Sequence, residues 1–313
     1  MSKLRIDTHC HPVGATPMGE DLGDVVKTVS DKVSLRTKYP NLYVDRITQD
    51  PIDISDALIR DMDRNGISHT LIQTDYGRAT NDMVADTVKK YPDRLKGLVS
   101  MHRWTDLAVH LPNEAELPSY RARAISEIVR GVEELGFIGV GEFFPRCFTA
   151  EVNPEKIADD LKPIMDVVST YRLPIQVQTA WTQFRHSLIY GDPIWVDEIA
   201  GAYPDVPIIL TKMGRGFNGI FDNALLVALR NTNVYFDIVD TVPEHLRRAV
   251  DTIGSERIMF GSDWCCITRW ISEPGNCYTK NLALLDQIGV TDSQREDIEW
   301  RTAANVFKLD LQS

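Results

Sequence analysis

The chain has 313 residues, with 34 lysines and arginines against 45 aspartates and glutamates, a formal charge of −11. A content of 43 % hydrophobic and 25 % charged residues is ordinary globular usage, which excludes a disordered chain, a collagen-like fibre and a low-complexity scaffold. The acidic balance argues against a non-specific binder of nucleic acid or of anionic membranes, because both call for net positive surface.

Read from the N-terminus, short apolar runs alternate with amphipathic stretches. The runs predict strands at 4–6, 70–72, 97–100, 138–140, 175–177, 208–210, 234–238 and 258–260. Between them lie stripes at helical spacing, such as Ile125, Ile128, Val132 and Leu135, or Ile157, Leu161, Ile164 and Val168. Breaks at Asn65-Gly66, Tyr91-Pro92, Leu173-Pro174 and Val206-Pro207 stop the preceding helices. Eight strands alternating with helices predict a (β/α)8 TIM barrel, read as one domain over 1–313. The alternative, a doubly wound open sheet, more often carries a glycine-rich phosphate loop after its first strand, where this chain has Asp7-Thr8-His9-Cys10-His11. Two additions to a minimal barrel are expected: a lid-like insertion over 12–50 after the first strand, and an extra C-terminal helix over 293–309.

Five scattered cysteines without CxxC spacing read as free thiols in a reducing compartment. The N-terminal MSKLRIDTHCHPV has no apolar core, and no apolar run approaches the about 18 residues of a membrane span, so a soluble, cytoplasmic protein is expected.

Active sites of such barrels lie where the strands end, so the polar residue closing each strand matters most. The first strand leads to His9-x-His11, whose alternation turns both imidazoles to one side, toward a single metal ion. His102 follows strand three, Glu142 strand four, Gln178 strand five, Lys212 strand six, and Asp263 strand eight. His9, His11, Glu142 and Asp263 are the expected metal ligands, and Asp263, Lys212 and His102 the catalytic candidates. Glu142 is open between ligation and an ion pair with Arg146, and Asp7 is expected to orient rather than to ligate. Cys10 should point away from the histidines into packing. His69 reads as a core or interface residue, and His110 and His245 as solvated. His186 lies in the loop after strand five, and Cys265-Cys266 reads as loop packing.

Ile6-Asp7-Thr8-His9-Cys10-His11, Gly261-Ser262-Asp263-Trp264 and the closing Ala303-Ala304-Asn305-Val306-Phe307 resemble the amidohydrolase superfamily. Its branch most similar to this chain is the amidohydrolase-related group of aminocarboxymuconate-semialdehyde decarboxylase, other decarboxylases and lactonases. The resemblance implies metal ligation by His9 and His11, ligation and proton transfer by Asp263, and a metal-bridging place for Glu142. Two histidines usual in that family are replaced, one by Gln178 and one by Lys212. The remaining set is richer in oxygen, with the composition of a non-haem iron triad, and Glu142 would suit a hard second ion. An ammonium cannot ligate, so Lys212 is neutral, carboxylated to a bridging carbamate, or a partner for a substrate carboxylate.

Three readings follow. The first is a metal-dependent hydrolase or decarboxylase using one or two divalent ions (zinc, iron or manganese) on a small carboxylated substrate. In the hydrolytic form a metal-activated water attacks while Asp263 takes the proton. Arg146, Arg215 and Gln178 are the expected substrate contacts, and Trp264, Trp104 and Trp181 expected pocket walls. The second is a non-haem iron or iron/manganese oxygenase on the same barrel, and the third a non-catalytic partner subunit with a degenerate site. The family implies a homo- or hetero-oligomer, and the acidic balance leaves no nucleic acid or membrane partner expected.

Overall fold

The structure is a computed structural model, and it describes residues 4–14, 51, 53–74, 77–103, 114–179, 187–264 and 276–311. In chain order it runs β1 (Ile6–Val13), α1 (Ser55–Asn65), β2 (His69–Thr74), α2 (Asn81–Lys90), β3 (Leu95–Gly97), α3 (Leu117–Glu133), β4 (Val140–Phe143) and α4 (Pro154–Tyr171). It continues with β5 (Ile175–Gln178), α5 (Val196–Ala202), β6 (Ile208–Thr211), α6 (Asn218–Arg230), β7 (Val234–Asp237), α7 (Pro243–Ile253), β8 (Ile258–Met259) and α8 (Asn276–Ile288).

Every ladder between these strands is parallel, in the orders β1-β2-β3 and β4-β5-β6-β7-β8. Two parallel bridges, Val99 to Val140 and Cys10 to Trp264, close the seams and make one barrel. Parallel strands covered by helices are buried on both faces, which is why these runs are apolar without alternation. All eight expected strands are present, with shifted ends. The largest shift is in β1, which runs on through His9 and His11 to Val13 instead of stopping at Ile6. The polar residues stay in the strand because β2 pairs with it on one side. On the other, Thr8 N–H bonds the Phe260 carbonyl and Asp263 N–H bonds the His9 carbonyl.

Most buried apolar side chains form one layer between strands and helices, Cys10 among them. A second cluster joins Ile6, Leu71, Leu98, Ile209 and Met259 to Ala303, Val306 and Phe307 of the C-terminal helical run. That run covers Asp292–Glu296, a π-turn over Asp297–Arg301 and Thr302–Val306. The π-turn has a visible purpose, since the Ile298 carbonyl accepts the Phe260 N–H at 2.7 Å, beyond the end of β8. Beside it Glu299, fully buried, binds Arg5 at 3.2 Å and Arg295 at 3.1 Å, tying the segment just before β1 to the chain's last helix. Glu299→Ala leaves two largely covered arginines facing a void. We expect it to cost about 3 kcal/mol, read as a lower denaturant midpoint at unchanged slope.

The expected lid over 12–50 lies outside the described residues apart from Pro12, Val13 and Gly14. Its two ends meet: Val13 pairs with Asp53 in an antiparallel bridge, and Ile54 N–H bonds the Pro12 carbonyl at 2.9 Å. Asp53 holds this junction, accepting the Ser55 N–H at 2.8 Å, the Thr87 hydroxyl at 3.1 Å and Lys90 Nζ at 3.1 Å. Among the described residues no helix is long and apolar enough to cross a membrane.

Candidate metal centre

The site is assembled from strand ends. His9 and His11 come from β1, Glu142 from β4, Thr211 and Lys212 from β6, Asp237 from β7, and Asp263 from the segment after β8. Alternation along β1 brings His9 Nε2 and His11 Nε2 to 3.0 Å and sends Cys10 outward into the core. Asp263 Oδ1 lies 3.3 Å from His11 Nε2 and 3.7 Å from His9 Nε2. These three buried residues form the group able to hold a metal ion, with ligand atoms all within 4.8 Å of one another. With metal–ligand bonds of about 2.1 Å, separations of 3.0 to 3.7 Å correspond to angles of about 90° to 125°, as a coordinated ion requires.

The imidazoles are held from behind. His9 Nδ1 is 2.7 Å from Asp237 Oδ2 and His11 Nδ1 is 3.1 Å from the Thr74 carbonyl, so both Nε2 atoms are turned to the centre, where a metal ion would take their lone pairs. Asp237 Oδ1 accepts the backbone N–H groups of Lys212 and Val239. Strand seven's closing acid was not among the expected residues; its signal was an aspartate at the end of an otherwise apolar run. In Asp237→Asn the amide oxygen keeps the two N–H donors and the NH2 faces His9 Nδ1. That forces the imidazole proton onto Nε2, the ligating atom. We expect about 10–100-fold weaker metal binding without unfolding, measured by titration of the metal-free protein.

The ion pair of Glu142 is with Lys212, Nζ to Oε1 at 2.7 Å, where Arg146 was the expected cation. The Thr211 hydroxyl donates to the same oxygen at 2.6 Å, while Oε2 lies 3.6 Å from His9 Nε2. Its backbone N–H is taken by Gln73 Oε1, and Gln73 Nε2 donates to Gln176 Oε1 at 2.9 Å. Gln176 in turn donates to the Thr8 carbonyl, so an amide chain crosses the barrel under the site. A Cβ at Gly141 would stand 2.0 Å from Gln73 Oε1, so a larger residue there would push Gln73 off the Glu142 N–H. Both β1 and β4 carry register shifts beside the site, the irregularities that re-aim side chains.

Beyond β6 the backbone from Lys212 to Gly216 has positive φ at five consecutive residues. Left-handed conformation costs about 1–2 kcal/mol at each non-glycine position, here Lys212, Met213 and Arg215. The turn is held by Asp237 on the Lys212 N–H, by Thr179 Oγ1 on the Gly214 N–H at 3.3 Å, and by the buried Met213 side chain. It brings two cations to one carboxylate: Lys212 Nζ is 3.4 Å and Arg215 Nη2 3.8 Å from Asp263 Oδ2. Asp263 itself has φ 55°, a strained conformation at a functional position.

Burial favours the neutral form of Glu142 and of Asp263, but Lys212 beside both holds each below the usual carboxylate range. Burial also opposes charge on Lys212, yet Asp263 and Glu142 raise its pKa, so it is an ammonium. A carbamate at Nζ would set a third anion within 3.4 Å of two carboxylates. Burial and Lys212 both disfavour protonated His9, and the Glu142 and Asp237 carboxylates overcome them, raising His9 to about 10 in the metal-free protein. Asp7 orients, as expected: it accepts the His9 and Ser262 N–H groups and the Ser262 and Tyr278 hydroxyls. Burial pushes it up to about 6.

Two further expectations are corrected, those for Trp264 and His245, and the structure places the remaining candidates as follows. Trp264 does not wall the pocket; its indole is buried and its Nε1 donates to Asp61 of α1 at 3.0 Å. His245 is buried, not solvated, stacked on Phe221 with ring centroids 4.1 Å apart and bound to Asn218. His102 packs edge-on against Phe144, outside the metal group. Gln178 turns its Nε2 onto the Thr179 carbonyl at 2.7 Å. Arg146 is buried in the turn after β4, and Arg215 binds Asp240 at 3.0 Å. Trp104, His110, Trp181, His186, Cys265 and Cys266 lie outside the described residues.

A parallel eight-stranded barrel with two histidines of its first strand and the aspartate after its last facing one point belongs to a class of mouth-centred metalloenzymes. An amidohydrolase family model matches residues 6–309, and the chain belongs to that family. The gamma-resorcylate decarboxylase of Rhodococcus jostii (strain RHA1) is 22 % identical over 349 residues, covering 91 % of this chain and 96 % of the relative. Among solved structures, the dihydroxybenzoic acid decarboxylase of Polaromonas sp. JS666, with manganese and 2-nitroresorcinol, matches with a TM-score of 0.60 at 17 % identity. That match covers 99 % of this chain and 98 % of the other. The 5-carboxyvanillate decarboxylase of Novosphingobium aromaticivorans DSM 12444, complexed with manganese and a nitrobenzoic acid, gives a TM-score of 0.60 at 17 % identity, with 98 % and 96 % covered.

Proposed function

We propose that the protein is a metal-dependent decarboxylase of a small aromatic carboxylate that carries an ortho hydroxyl. The observation that carries the reading is the division of Asp263, with Oδ1 toward the histidine pair and Oδ2 toward Lys212 and Arg215. The named relatives, decarboxylases of hydroxylated benzoates, support it. His9, His11 and Asp263 would hold one divalent ion, which supplies a Lewis-acid anchor for substrate oxygens when bound.

The chain's own residues then have distinct tasks. Lys212 and Arg215 keep Asp263 ionised, ready to accept the phenolic proton. Asp263 passes that proton to the ring carbon bearing the carboxylate. As the carbon–carbon bond breaks, carbon dioxide leaves and the ring regains aromaticity. Water reprotonates the phenolate that remains. Burial of the site lets the fixed charges act at full strength, as general acid–base transfer needs.

The test is turnover of gamma-resorcylate and 5-carboxyvanillate by the full chain loaded with manganese, followed by loss of substrate absorbance and release of carbon dioxide. We expect turnover that stops on chelation. Hydrolysis of ester or lactone analogues with no attack on hydroxybenzoates would overturn the reading in favour of a hydrolase. Oxygen uptake coupled to turnover would replace it with the oxygenase reading.

A further inference from the structure

Glu142 and Asp263 divide their oxygens in the same way. Glu142 offers Oε2 to His9 Nε2 at 3.6 Å and Oε1 to Lys212 Nζ at 2.7 Å. Asp263 offers Oδ1 to the two imidazoles and Oδ2 to Lys212 Nζ at 3.4 Å. Carboxylates that give one oxygen to each of two neighbouring places are the bridges of a two-cation centre. One of those places is bounded by His9, His11 and Asp263; the other holds an ammonium.

We propose that Lys212 Nζ permanently fills the second cation position of this centre, so that the chain takes one divalent ion and excludes another. The proposal rests on the metal-dependent reading above and goes beyond it in assigning the lysine. The ammonium is 1 % exposed, and its backbone is fixed by Asp237, whose other oxygen orients His9. One carboxylate therefore sets the position of both cations. Lys212 Nζ also lies 3.3 Å from His9 Nε2, close enough to block a second ion beside the first. Asp237 on the Lys212 N–H, and the left-handed turn that begins at Lys212, together fix the backbone from which the lysine side chain leaves β6. Arg215 adds a further positive charge on that side of Asp263.

The experiment is a manganese titration of the full chain after chelator treatment and dialysis, with free Mn2+ read by its electron paramagnetic resonance signal. Wild type is expected to bind one ion per chain. Lys212→Met removes a like charge and leaves both carboxylates, so its ion should bind about tenfold tighter or more. Lys212→His restores a nitrogen ligand and should admit a second ion, with an exchange-coupled signal. Two ions in wild type overturn the assignment. So does wild-type affinity in Lys212→Met, which decides the matter if Lys212→His does not fold. Absence of manganese binding by folded wild type removes the metal-dependent reading as well. One ion without turnover of any hydroxybenzoate leaves the lysine's assignment standing and the proposed reaction overturned.

Discussion

The double replacement of His9 and His11 by alanine is expected to abolish divalent metal binding while the barrel stays folded. Both imidazoles are buried and aimed at one point by partners behind them, and among the described residues they are two of the three members of the metal-holding group. Folding does not depend on them. The layer between strands and helices and the cluster beneath the strand starts are apolar and lie away from the site. A domain of this size is held by that burial rather than by an ion. The loss is not free of consequence, since Glu142, Asp237 and Asp263 would face Lys212 and Arg215 without the His9 charge that pairs with them in the metal-free protein. We expect a cooperative thermal transition at somewhat lower temperature, unchanged far-ultraviolet circular dichroism, and no metal by elemental analysis. Retention of stoichiometric metal would place the centre elsewhere.

Asp263→Asn is the second large effect. The amide can still offer its carbonyl oxygen to the histidine side, so metal binding weakens rather than vanishes. Its NH2, however, faces Lys212 and Arg215, where Oδ2 carried the charge that pairs with them. The variant can neither accept a phenolic proton nor return one to carbon, and two cations lose their counter-charge. General acid–base transfer is worth about 10²–10⁴-fold, and we expect a loss near the upper end in kcat, with a smaller change in KM. A loss confined to KM would show that Asp263 only positions the substrate.

The sequence carried the architecture well because each element is locally consistent. Apolar runs bounded by proline or glycine breaks read as buried strands, and the structure has all eight. His9, His11 and Asp263 were legible because spacing along one strand, and the end of another, bear directly on where side chains point. Asp237 was not, since an acid ending strand seven has no motif of its own and acquires meaning only when His9 arrives from β1. The meeting of Glu142 with Lys212 is likewise a property of barrel closure, joining residues 70 positions apart. The left-handed run from Lys212 to Gly216 was not legible, because in Lys212 and Met213 it depends on tertiary contacts. Trp264 and His245 were misjudged for one reason: an aromatic or histidine near a strand end or on a helix is assigned to solvent or core by its neighbours, here Asp61 and Phe221.

The pairing of Val13 with Asp53 also bears on how this barrel can diversify. Chain entering and leaving an excursion at adjacent points places no demand on the length or composition of what lies between. A junction of this kind lets the chain between its ends change in length while the register of β1 on β2 stays as it is. Chemistry and selectivity are thereby inherited separately. The metal-holding group sits on and beside the closed ladder, while the ends of the excursion are joined at a separate junction whose latch is one aspartate.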